Sequence, residues 1–299
     1  MTPQTIVVGI DGSIPSRAAI RWGAVEALAT GADLLLAHVI DDEWGVVSSR
    51  MAREIGDTAP ELVDAERLVA LTIGPALSVT TRILSGSPMW ELARLSSART
   101  LIVVGTHKSG FHYGRAYGSR SLQLATSANG SIAVVPDSAV RSRRGVVVGV
   151  DPSPPGLAAI DVAADEAALR GCDLTVVRAW HPNSAVPSDA AEQTTRELLA
   201  SAVRRARRRN PHTTIRSRAV CRPAGAALNE IARGAELLVI GDSRRAGSQP
   251  GTLGSVAYDV LLNLTSPTIV VHTTVSASDE LGAIIDDDAM TEGLNHARH

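Results

Sequence analysis

Short apolar, β-branched runs bounded by turn residues recur along the whole chain. In the first half they are TIVVGI (5–10), DLLLAHVI (33–40), SVTTRIL (78–84), TLIVVG (100–105) and SIAVVP (131–136). In the second half they are GVVVGV (145–150), DLTVVRAW (173–180), TTIRSRAV (213–220), ELLVIG (236–241) and PTIVVH (267–272). Runs of this length and composition predict strands buried on both faces. Ala-rich stretches with helical spacing separate them; after Asp11, the residues Ala18, Trp22, Val25 and Ala29 fall on one predicted helical face. Strands alternating with helices predict an α/β fold: a parallel sheet, right-handed crossovers and helices on both faces.

The pattern is written twice. Asp11 and Asp151 each follow a first strand, and Gly31 and Gly171 each close the helix after it, both pairs 140 positions apart. Gly105 and Gly241 end the fourth strands, and Gly118 and Gly254 follow thirteen residues later, both pairs 136 apart. Landmarks repeated in one order predict two tandem five-stranded α/β units. The expected boundaries are 1–138 for the first copy, a linker at 139–143, 144–275 for the second copy and an acidic tail at 276–299. The arginines of the polar run Asp137–Arg144 read as a solvated linker, and the cluster Arg204–Arg209 as cations favoured at a helix C-terminus.

Composition narrows the picture. The 299 residues are 44% hydrophobic and 3% aromatic, so the cores must be aliphatic and built from small residues. That apolar content with a net charge of −2 excludes bulk disorder and a nucleic-acid-coating protein. No basic stretch followed by an apolar run opens the sequence, and no window reaches ~18 apolar residues, so neither a secretory signal nor a membrane span is expected. Cys172 and Cys221, at a strand start and a strand end, read as inert core thiols of a reducing, cytoplasmic compartment. Glu26 and Glu166, on the first helix of each copy, read as solvated.

In open α/β sheets ligands bind beyond the carboxyl ends of the strands. Two loops of each copy qualify. The first, Gly9-Ile10-Asp11-Gly12-Ser13, offers a carboxylate to a ribose or a base, or uses it for a turn ahead of the helix. Its counterpart Asp151-Pro152-Ser153 keeps the carboxylate in a stiffer loop. The second loop, Gly105 to Ser119, is Gly-rich and opens a helix at Gly118-Ser119, where phosphate is favoured; Ser119 is equally read as an N-cap. Neither GxxxxGK[ST] nor GxGxxG occurs, which disfavours a P-loop NTPase or an NAD-linked dehydrogenase. His107 and His112 fit no metal-ligand spacing, and Ser243 lacks a GxSxG elbow, so it reads as loop.

At these residues the sequence resembles the universal stress protein family in its tandem-domain form, over residues 3–137 and 144–275. The resemblance rests on VVGIDGS with VVGVDPS, LLAHVI with VVRAW, LSGSPMWEL with VCRPAGAAL, and the two Gly…Gly-Ser loops. It implies two tandem parallel-sheet domains, Rossmann-like and of the adenine-nucleotide alpha-hydrolase-like type. A pseudo-twofold axis would relate them, with Ile132–Val135 meeting Thr268–Val271. One class of the family binds ATP through a loop of pattern G-x2-G-x9-G-[S/T]. Carried over, this places Ile10 and Asp11 near the adenosine and Val39 against the adenine, with Gly105, Gly118 and Ser119 around the phosphates. Gly9, Gly12, Ser13, Thr106 and Arg120 adjoin them. In the second copy the matching positions are Val150, Asp151, Ala179, Gly241, Gly254 and Ser255, beside Asp242 and Val256.

Both copies depart from the pattern at one place: the second glycine of the loop is Lys108 in the first and Arg244 in the second. A long side chain there either blocks close backbone approach to phosphate or supplies it with a cation. The resemblance implies an ATP-binding regulator or sensor of the stress response, with or without Mg²⁺. It would have little or no catalysis (at most a slow ATPase), a protein partner and a whole-chain homodimer, and neither nucleic acid nor membrane as a partner. The alternative is a nucleotide-free interaction protein of the same fold; a third reading is an enzyme acting on another small molecule at the same place. Phe111, Tyr113 and Tyr117 gather in the Gly105–Gly118 loop, expected as a lid or partner contact of the first copy.

Overall fold

A computed structural model of the protein describes residues 3–41, 49–106, 111–112, 115–116, 119–137, 143–180, 188–243 and 252–273. The linker (apart from Arg143), the acidic tail, Lys108, Arg244, Gly118, Tyr113 and Tyr117 lie outside them. The first copy runs β1 (Thr5–Ile10), α1 (Ile14–Thr30), β2 (Asp33–Ile40), α2 (Ser49–Ile73), β3 (Val79–Ser85), α3 (Pro88–Arg94), β4 (Thr100–Thr106), β5 (Phe111–His112), β6 (Arg115–Ala116), α4 (Ser119–Ser127) and β7 (Ile132–Pro136). The second runs β8 (Val146–Gly149), α5 (Pro154–Arg170), β9 (Leu174–Trp180), α6 (Ser188–Arg209), β10 (Ile215–Cys221), α7 (Ala224–Ile231), β11 (Leu237–Gly241), α8 (Ser255–Leu262) and β12 (Thr268–Val271). Phe111–His112 and Arg115–Ala116 pair as a small antiparallel ribbon that the hydrophobic pattern does not announce.

The first helix of each copy is fixed by the same local code. Ser13 accepts from the Ser16 N–H and Ser153 from the Gly156 N–H, and proline stands in the first turn of both helices. Gly31 and Gly171 close them at φ 70° and 61°, a conformation that glycine adopts without strain. Within each copy the strands are parallel, ordered β3-β2-β1-β4-β7 and β10-β9-β8-β11-β12. The last strands then pair antiparallel, Ile269 opposite Ala133, joining both copies into one ten-stranded sheet. Two aliphatic layers cover its faces, one under α1, α2, α5 and α6 and the other under the remaining helices, and each layer holds residues of both copies.

β3 and β10 are the sheet's outer edges, so their central residues are exposed rather than buried on two faces. On α1 the buried stripe is Ala19, Ile20, Gly23, Ala24 and Ala27, whereas Val25 and Ala29 face outward. Cys221, on the edge strand β10, is exposed and Cys172 is only half-buried; neither is an enclosed core thiol. Arg143 is half-buried and donates to the carbonyls of Ala235 and Thr265, so it is not simply solvated. From the Arg204–Arg209 cluster, Arg205 and Arg209 are paired with Asp161 and Asp165 of α5.

Glu26 and Glu166, expected in solvent, are buried where α1 and α5 meet across the seam. Arg170 binds both: its Nη2 lies 2.6 Å from Glu26 Oε2, and its Nη1 donates to Glu166 Oε2. The position matching Arg170 in the first copy is Thr30, so two carboxylates share one guanidinium. Burial, then the neighbouring Glu26 carboxylate, pushes the Glu166 carboxyl up to about 8, and Arg170 only partly offsets them.

Candidate functional site

The order β3-β2-β1-β4-β7 reverses direction between β1 and β4, and a cleft of about 260 Å³ opens beyond their carboxyl ends. That is close to the ~300 Å³ at which small-molecule pockets begin. Its wall is apolar, formed by Ala37 and Val39 of β2, Met89 and Leu92 of α3, and Val104 of β4. Its polar groups are Asp11, Ser13, Ser16, Asp41, Arg120 and Ser121.

Each of these is placed by the local chain. Gly12 takes φ +76°, turning the backbone between Asp11 and the helix cap Ser13. Asp11 Oδ1 accepts from the Ser13 N–H at 3.0 Å, so the carboxylate does hold the turn. Its other oxygen accepts no hydrogen bond among the described residues, and Asp11 is exposed at the cleft. His38 Nδ1 lies 2.9 Å from the Ile10 carbonyl and fixes the end of β2 beside Val39. Gly105 has a reason the sequence did not reveal: a Cβ there would stand 2.0 Å from the Pro15 carbonyl oxygen. Glycine is needed for β4 to pass under the first turn of α1, whatever binds above it. Arg120, exposed in the first turn of α4, brings a cation to the cleft rim. Ser119 is the first residue of α4.

In the second copy the corresponding cleft is about 70 Å³, lined by Gly149, Val150, Asp151, Arg178, Ala179, Ser243, Gly254, Ser255 and Val256 among others. Asp151 is occupied on both oxygens. Oδ1 accepts from the Ser153 N–H at 2.9 Å and from the Ser153 hydroxyl, and Oδ2 accepts from the Ser243 hydroxyl. The two hydroxyl oxygens stand 2.7 Å apart. Arg178, at the place of His38, donates to the Val150 carbonyl at 3.0 Å. A Cβ on Gly241 would fall 2.5 Å from the Gly156 nitrogen, the same crossing that fixes Gly105. Gly254 is the N-cap of α8 and Ser255 its exposed first residue, so no serine cap exists here. Asp242 is buried, and its Oδ1 accepts the Gly254 N–H at 2.8 Å.

The structure thus gathers Gly9, Ile10, Asp11, Ser13, Val39, Gly105 and Arg120 around one cleft, with Gly12 and Thr106 in the flanking backbone. Their counterparts gather around a nearly filled one. Ser243 and the pair His38 and Arg178 were not expected among them. Ser243 meets Asp151 across 92 positions of chain, a contact with no local sequence signal.

Comparison with known proteins agrees with this architecture. The model of the universal stress protein family matches residues 3–136 and 142–272. A universal stress protein of Mycolicibacterium smegmatis is 32% identical, the match covering 91% of this chain and 98% of that protein. Another, of Mycobacterium tuberculosis, is 30% identical over 89% and 94% of the two chains. The crystal structure of a universal stress protein from Archaeoglobus fulgidus superposes with a TM-score of 0.69 at 15% identity, over 89% of this chain and 95% of that one, a likeness of fold. Two matched domains, one repeated strand plan and relatives of the same length place this chain in the universal stress protein family, in its tandem-domain form.

Proposed function

We propose that the first copy binds an adenine nucleotide and the second does not, so that the chain is a one-site nucleotide-dependent regulator or sensor with little catalysis. In this reading the adenine packs on Ala37, Val39, Met89 and Leu92, and a ribose hydroxyl donates to the open oxygen of Asp11. The phosphates of ATP, alone or with Mg²⁺, lie toward the N-terminus of α4 and Arg120, where the helix dipole and a cation both favour negative charge. The observation that carries the reading is an apolar-walled cleft lined by Asp11, one of whose oxygens accepts no hydrogen bond among the described residues, with the Arg120 cation at its rim.

For the second copy the alternative, a nucleotide-free structural or interaction domain, is favoured by a specific observation: both Asp151 oxygens are already satisfied in a cleft of about 70 Å³. Bound nucleotide would act by mass action on the folded state and on the loop bordering the site, which a partner protein in the cytoplasm would read. A whole-chain homodimer would need a surface other than β7 and β12, because those strands pair with each other inside the chain.

The test is to denature purified protein, identify any released nucleotide by mass spectrometry, and titrate nucleotide-free protein with ATP calorimetrically. Binding near one ATP per chain is expected. Absence of both released nucleotide and heat at millimolar ATP would refute the reading.

A further inference from the structure

The junction of β11 and α8 holds an anion that belongs to the protein. The Asp242 side chain is 1% exposed; Oδ1 takes the N–H of Gly254 at the head of α8, 2.8 Å away, and Oδ2 lies 3.3 Å from His272 Nε2. His272 is itself 6% exposed, and its Nε2 has no aligned hydrogen bond; its Nδ1 lies 2.9 Å from the Gly130 carbonyl of the first copy. A carboxylate buried this deeply persists only where fixed positive partners replace its water. The positive end of α8 and its Gly254 amide are such partners, and the His272 ring stands beside them, 3.3 Å from Oδ2. The equivalent positions of the first copy, 136 residues earlier, are Thr106 and Pro136, one neutral hydroxyl and one ring without a donor.

We propose that Asp242 is a built-in occupant of the second copy's anion seat: its carboxylate fills the place that a phosphate would take at the head of α8, and this excludes nucleotide anions from that copy. The claim rests on the reading that the first copy receives phosphate at the head of α4, where no such carboxylate precedes the helix. One residue after each fourth strand, threonine or aspartate, then sets which copy accepts an external anion. The hydroxyl network of Asp151, Ser153 and Ser243 lies at the neighbouring cleft, which Gly254 also lines.

The test uses inorganic tripolyphosphate as the probe, titrated calorimetrically into the full chain, with far-UV circular dichroism to verify folding. Wild type should bind one equivalent, Asp242→Thr two, and Thr106→Asp should lose at least ~10-fold in affinity from placing like charge beside the probe. A folded Asp242→Thr protein that binds no more probe than wild type overturns the proposal, as does wild type binding two equivalents. If wild type binds none and Asp242→Thr binds one, the occupancy of the second copy stands and the phosphate site of the first copy fails. Should Asp242→Thr not fold, Thr106→Asp decides: unchanged affinity for the probe overturns the proposal.

Discussion

The two copies share one strand order, one helix-capping code and the same glycine crossing under the first helix, yet they differ at the mouth of the sheet. Asp11 and Asp151 are equivalent aspartates on equivalent turns. The first lines an apolar cleft of about 260 Å³ and has one oxygen that accepts no hydrogen bond among the described residues, which do not include His107 at the place of Ser243; the second has both oxygens taken by serine donors in a cleft of about 70 Å³. A duplicated backbone therefore does not duplicate a site: a few polar side chains decide whether the end of a sheet is open or self-satisfied. The seam between the copies is asymmetric too, since Arg170 serves both Glu26 and Glu166 while Thr30 stands in its counterpart position.

The largest expected effect lies at that seam. Arg170→Ala would leave the buried Glu26 and Glu166 carboxyl groups, and the negative charge they share, without their cation and should cost about 3–5 kcal/mol in denaturant unfolding. Thr30→Ala, at the equivalent place, should cost far less, because among the described residues the Thr30 hydroxyl bonds only the Glu26 carbonyl. Equal losses would show that the asymmetry carries no energy.

The same cluster gives the protein a pH signature. The Glu166 carboxyl is held at about 8 in the folded protein against an ordinary value of 4.5. Between those values the folded chain keeps a proton that the unfolded chain has released. This group's contribution to stability is therefore full below about pH 4.5 and falls as pH rises toward 8. Glu26→Gln removes the competing charge and should flatten the fall; melting curves from pH 5 to 8 read it directly. An unchanged slope would mean that Glu166 titrates without regard to its neighbour.

Gly105→Ala and Gly241→Ala should each destabilise by ~1–3 kcal/mol or more, since the added Cβ meets backbone rather than a flexible side chain. This prediction also separates two roles of the strand-ending glycines. If Gly105→Ala left stability intact and weakened only ATP binding, the crossing would be incidental and phosphate approach the true constraint.

The smallest effects concern binding itself. Asp11→Ala should weaken ATP by ~10-fold, the worth of a hydrogen bond to a charged acceptor, and Asp151→Ala should leave ATP affinity unchanged. Arg120→Ala should weaken it by about 2- to 5-fold, an exposed ion pair's share that fades with added salt.

The duplication, the strands and the caps were readable because they are local: β-branched runs, Ser before a helix, Gly after it, and a fixed spacing between copies. What a strand or helix faces was not. TTRIL and IRSRA read as strands, but only the sheet order makes β3 and β10 edges, and Cys221 is exposed for that reason. Glu26 and Glu166 are charged residues on a helix, which in isolation belong in water; only the antiparallel pairing of β7 with β12 brings their helices together and buries them. In the candidate site, Asp11, Val39 and the glycines were legible from loop position. Ser243 and the anchoring of Asp242 were not, because their partners lie 92 and 12 residues away and no periodicity records such contacts.

The central claim is that one copy is open and the other closed. A crystal structure of the protein grown with ATP tests it most directly. The account predicts nucleotide density in the cleft at Asp11, with Asp151 still bound to Ser153 and Ser243 and no nucleotide beside it. Density in both clefts, or at Asp151 alone, would contradict it.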